Sequence, residues 1–166
     1  MRQITFFLLC MLACFNAHCQ TGSKFNYKHN QFDSLAYVVT LKTEKPLSSG
    51  AKGVEVRNLD SKSINNSYAS IIEESISAEK LQKLSERRRV SISIVYSLSG
   101  KAQSIRVTMP KECMGILNED ELYVLYWNLR KYEIDMSMTQ VVYPYHWVDG
   151  DTGCWSMLLP LTLKRQ

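Results

Sequence analysis

The chain has 166 residues, 20 Lys and Arg against 16 Asp and Glu, a formal net charge of +4, and a 45% hydrophobic share. That length suits one domain of ordinary size, able to bury a core without staples. The near balance of charge argues against nucleic acid as a partner, and no apolar run after the N-terminus is long enough to span a membrane.

The N-terminus, "MRQITFFLLCMLACFNAHCQ", places Arg2 before an apolar run from Ile4 to Phe15. Ala17 and Cys19 then supply the small residues of a cleavage site. This layout predicts a secretory signal over residues 1–19, removed on export to the periplasm or outer surface. A competing reading takes Leu12-Ala13-Cys14 as a lipobox, with a lipid anchor on Cys14. Export leaves Cys113 and Cys154 in an oxidising compartment, where a disulfide between them competes with two separate buried thiols.

Residues 20–76 read as an N-terminal extension belonging to the same domain. Thr21 to Gln31 is polar and predicts a loose leader. Asp33-Ser34-Leu35 resembles the short Asp-Ser/Thr-apolar O-glycosylation signal of Bacteroides-type bacteria, with Ser34 as acceptor. Leu35, Tyr37, Val39 and Leu41 alternate as a strand does, up to the loop "KPLSSGAKG". "VEVRN" is a short strand candidate and "DSKSINNS" a polar connection. "YASIIEES" fits either a strand or the start of a helix.

From Ser77 the pattern sharpens. Ser77 can cap a helix through "AEKLQKLSERR", with Ile76 and Leu81 at the positions of a hydrophobic staple and Arg87, Arg88 and Arg89 at the carbonyl end. "VSISIVYSLSGKAQSIRV" puts Val90, Ile92, Ile94 and Tyr96 on one face, turns at Gly100, and resumes with Ile105, Val107 and Met109: a hairpin with one buried side. Asn118 and Glu121 form a capping box for a second helix, whose Leu122, Leu125, Tyr126, Leu129 and Tyr132 make one apolar stripe. Trp155, Met157, Leu159, Leu161 and Leu163 alternate as a last strand, where Pro160 implies an edge or a bulge. The expected fold is α+β: an antiparallel sheet packed by one or two helices.

The order helix, hairpin, helix, strand over residues 77–166 resembles the C-terminal domain of TonB and its relatives. The residues that carry the likeness are the hairpin above, "LNEDELYVLYWNLRKYEI" and "WSMLLPLTLKRQ". The whole chain resembles small secreted proteins of unknown function from Bacteroidales-type bacteria. Four Pro in all leave no rigid spacer of the TonB kind.

Candidate chemistry is thin. In "DGDTG", Asp151-Thr152-Gly153 matches the aspartic-protease triplet without the apolar strand that should precede it, and the calcium-loop reading lacks its distal acid. A tight turn explains the Asp and Gly residues on backbone grounds alone. His29 and His146 are the only histidines after the signal, and neither sits in a suggestive setting. No catalytic residue, metal or cofactor is therefore expected. Tyr143, Tyr145 and Trp147, with Trp155, are the candidate binding residues. The expected role is a non-enzymatic module whose edge strand, Trp155 to Leu163, pairs with a peptide or envelope protein. The alternative is carbohydrate or lipid binding on the aromatic run from Tyr143 to Trp147.

Overall fold

Two arms that alternate with period two bury every second side chain on the same side, and this forces the stretch from Val90 to Val107 into the middle of a sheet. The computed structural model describes residues 23–47, 50–87, 89–144 and 152–162. The first strands are β1 (Phe25–His29), β2 (Ala36–Leu41), β3 (Ala51–Gly53) and β4 (Glu55–Arg57). Two helices follow, α1 (Ser61–Ser75) and α2 (Ala78–Ser85), and then the hairpin arms β5 (Ser91–Ser97) and β6 (Ala102–Pro110). A 3-10 turn, Lys111–Cys113, leads to α3 (Glu119–Lys131), β7 (Gln140–Val142) and β8 (Thr152–Pro160).

Six strands form one sheet in the order β1-β2-β6-β5-β8-β3, while β4 and β7 pair as a separate ribbon. Among the described strands all pairings are antiparallel except that of β3 with β8. The architecture is α+β, as the element pattern predicts. Ile92, Ile94 and Tyr96 from β5 share a buried layer with Ile105, Val107 and Met109 from β6. Into that layer α1 inserts Ile64, Tyr68 and Ile72, and α3 inserts Leu122, Leu125, Tyr126 and Leu129. Each such side chain contributes roughly 1.5–3 kcal/mol of transfer free energy. The opposite face carries Ser91, Ser93, Ser97, Arg106 and Thr108, none of them buried.

The capping box of α3 forms as its residues dictate. Asn118 Oδ1 accepts the Glu121 N–H at 2.8 Å, and a Glu121 carboxylate oxygen accepts the Asn118 N–H at 2.9 Å. Lys80 from α2 adds an ion pair to Glu121 at 2.7 Å. Burial alone would raise the Glu121 carboxyl, but the Lys80 ammonium and the Asn118 N–H outweigh it and hold the group below its ordinary value. A depressed folded value gives stability that is present above the unfolded value of about 4.3 and is lost as pH falls through the folded one. Thermal unfolding from pH 6 to pH 3 is therefore expected to show a drop that Glu121→Gln flattens. A Glu121→Gln profile as steep as that of the parent would remove this carboxylate as the cause.

Three expectations change. The polar leader is in part strand β1, because Phe25 is 2% exposed and its ring lies 5.3 Å from that of Tyr126, so a tertiary contact orders a locally weak segment. "DSKSINNS" is no connection: Asp60 Oδ1 accepts the Ser63 N–H at 3.0 Å and starts α1, which runs through "YASIIEES" as a helix. Lastly, α2 ends at Ser85, so Arg87 and Arg89 lie beyond it, and Ser77 occupies the N-cap without a side-chain capping bond. Ile76 is buried and Leu81 packs against the core, as a staple requires.

Candidate functional site

The last strand combines an exposed apolar side chain with unpaired backbone. β5 covers one side of β8 from Cys154 to Pro160, but β3 reaches only Thr152 to Cys154 on the other. Backbone parity tells which groups face outward. Leu161 N–H donates to Val90 O on the β5 side, and Cys154 O accepts from Val54 N–H on the β3 side. Successive residues alternate, so the N–H and C=O of Ser156 and Leu158 point away from β5, as does the C=O of Pro160. Among the described residues no strand pairs with them. Pro160 sits where its missing N–H costs no ladder bond, which is how proline is tolerated at an edge. Leu158 is 71% exposed beside this open ladder.

A groove of ≈ 480 Å³ lies past the Pro160 end of the strand, lined by Glu73 of α1, by Ala78, Leu81, Gln82 and Ser85 of α2, and by Leu161 and Thr162. The result is a main-chain ladder with a recess of mixed polar and apolar lining beyond its end, and strand addition uses such a ladder together with side-chain pockets.

The sequence-predicted residues do not converge. Trp155 is no surface anchor: it is 6% exposed and stacked on Tyr96 at 4.6 Å. It occupies the helix-facing side of β8, and burial follows from that parity. Tyr143 is exposed. Tyr145, His146, Trp147, Asp149, Asp151 and Leu163 lie outside the described residues, as do the signal stretch and Cys14. Ser34 is exposed in the turn between β1 and β2, where Asp33 Oδ1 accepts the Leu35 N–H at 3.0 Å.

Of the two competing readings the structure has separate thiols: Cys113 is buried, Cys154 is half-buried, and both are unbridged. Cys154 lies opposite Ser97, whereas Cys113 follows Pro110 beyond the Ser91 end of the hairpin. The length of β5 separates them, about 20 Å at strand rise, against the roughly 5.5–6 Å between Cα atoms that a bridge needs. Burial and then Glu112 push the Cys113 thiol up, so it is a poor thiolate.

Two buried phenols meet in the core. The hydroxyls of Tyr68 and Tyr96 hydrogen-bond to each other, and the Tyr132 ring stands edge-on to Tyr68 at 5.1 Å. Burial drives both phenols far above their ordinary value, so they are neutral donors that fix α1 on the sheet. Among the described residues no group of three His, Cys, Asp or Glu is placed to hold a metal.

One polar device escaped the sequence reading. β2 leaves β6 after Val39 pairs with Val107, and there Glu44 Oε1 accepts the Ile105 N–H at 2.9 Å. The other Glu44 oxygen accepts from Arg130 Nη2 on α3. Nothing local in "LKTEKPL" marks Glu44, because its partners lie 61 and 86 residues away.

No protein-family model matches the chain, and no curated protein matches it. Among solved structures the chain is similar to a DUF5043 family protein from Bacteroides uniformis. The TM-score is 0.53 at 7% identity, over 86% of this chain and 83% of that one. At that identity the likeness is one of fold.

Proposed function

We propose that this protein is an exported, non-enzymatic interaction module that captures an extended peptide segment of an envelope protein by adding it as a strand to the outer edge of β8. The single observation that carries the reading is the open ladder from Ser156 to Pro160. Ser156 and Leu158 each offer both backbone groups and Pro160 its carbonyl, while the recess beside Leu81 and Leu161 can take a side chain of the added strand. The β6-β5-β8 order with α3 across it is what a TonB-like C-terminal domain would present. Short free length keeps the affinity modest, since each main-chain bond contributes only about 0.5–1.5 kcal/mol net.

The test is photocrosslinking from position 156 in cells that make the protein natively. The parent and Leu158→Ala should yield a discrete adduct with a second protein. Leu158→Pro removes one outward N–H and leaves the β5 ladder intact, and it should cut that adduct about ten-fold. No adduct, or one that Leu158→Pro leaves unchanged, would overturn the reading.

A further inference from the structure

We infer a second binding site at the other end of the sheet, a cationic cleft that takes a polyhydroxylated anion: a sugar bearing carboxylate, sulfate or phosphate. The cleft has a volume of ≈ 510 Å³ and lies between the β1–β2 hairpin, residues 44–47 and β6. That is the size of a small-molecule site, for which about 300–1,000 Å³ is usual.

Its charge is uncompensated. Lys28, Lys45 and Arg106 line it, and none of them forms an ion pair among the described residues. Among the described residues the single carboxylate of the lining, Glu44, is already committed to Arg130 and to the Ile105 N–H. Three cations around one concavity repel each other unless an anion enters, and a bound carboxylate, sulfate or phosphate gains a charge-assisted hydrogen bond from each it reaches.

Strand register fixes where the polar groups stand. Asn26 is paired with Thr40 across β1 and β2, and Arg106 is paired with Ser93 across β6 and β5. Phe25 and Val39 are buried, as are Ile105 and Val107, so by alternation Asn26, Thr40 and Arg106 all project to the open face. An amide and a hydroxyl held on strands are suited to donate to and accept from sugar hydroxyls. At the rim Phe32 is 97% exposed, and its N–H donates to Asn30 Oδ1 at 2.9 Å, which fixes the turn that carries it. A bare ring at the mouth of a polar cleft is suited to lie against the C–H face of a sugar.

Calorimetry on the full chain tests this with a sulfated disaccharide, a uronate disaccharide, a sugar phosphate, a neutral disaccharide, and inorganic sulfate and phosphate. At least one charged sugar should bind, at least about ten-fold more tightly than the neutral sugar or the inorganic ions. Which probe wins names the source of the charge. Lys28→Ala and Arg106→Ala should each weaken binding about ten-fold at unchanged Tm, because each removes one charge-assisted contact to the anion. Leu158→Pro should leave binding as it is, which separates this site from the β8 edge. No heat with any charged sugar, equal affinity for the neutral one, inorganic ions binding as tightly as the sugars, or full affinity in Arg106→Ala would each overturn the inference.

Discussion

Gly100→Ala is expected to lower Tm by about 10 °C, whereas Gly115→Ala should lower it by only a few degrees. Both glycines have left-handed backbone, with φ of 79° and 86°. An alanine in that region costs about 1–2 kcal/mol whatever surrounds it. The surroundings then separate the two. A Cβ on Gly115 meets nothing within 4 Å, but on Gly100 it would lie 2.0 Å from the carbonyl oxygen of Ile134. That oxygen is backbone and cannot swing aside. The Ile134 N–H donates to Gly100 O at 3.0 Å, so the hairpin turn and the segment leaving α3 are bonded where the clash falls. Ile134 is itself 2% exposed, which leaves relief only by moving buried structure. Adding roughly 1–3 kcal/mol for overpacking brings Gly100→Ala to about 2–5 kcal/mol in all. Thermal or urea unfolding of the two variants side by side decides the matter. Equal losses would mean that left-handed strain alone matters at both turns and that the contact with Ile134 contributes nothing.

The same hairpin shows which parts of this fold can be read from the chain. Its alternation, its Gly turn and the capping box at Asn118 are signals spread over a few residues, and the structure reproduces each. The first half of α1 reads as a connection because Ser61, Ser63, Asn65, Asn66 and Ser67 are weak helix formers, while its second half, "YASIIEES", fits either a helix or a strand. Yet Ile64, Tyr68 and Ile72, all buried, recur every fourth residue, which was the available signal. Strand β1 gave only a short one, since Phe25 and Tyr27 alternate with Asn26 and Lys28 over a few residues and only Phe25 reaches the core. The edge was half legible: Pro160 pointed to it, but that β3 stops at Cys154 is a fact of tertiary pairing. Aromatic residues misled for a related reason. Composition cannot tell a stacking ring on a surface from one that fills a core, and Trp155 is the second kind.

Glu44→Ala is expected to destabilise the fold by about 2–4 kcal/mol, with a Tm lower by roughly 8 °C. The carboxylate stands in for a missing strand. On the β2 side of β6 the Ile105 N–H has no backbone acceptor once β2 has turned away, and Ile105 is fully buried with Glu44 in place. Leaving that donor unpaired costs about 1–3 kcal/mol. Arg130 loses its partner as well, but its side chain is 37% exposed, so solvent screens much of that loss. Glu44→Gln separates the two contributions: its amide oxygen can still accept from Ile105, while the ion pair is gone. It should cost no more than about 1 kcal/mol and respond little to salt. If Gln proves as damaging as Ala, the ion pair holds this corner and the carboxylate is no substitute for a strand. Gln should also leave the charge balance of the neighbouring cleft more positive, because the Glu44 charge would be gone while Lys28, Lys45 and Arg106 remain. A charged sugar should accordingly bind Glu44→Gln at least as tightly as the parent, and weaker binding would show that Glu44 itself contacts the ligand.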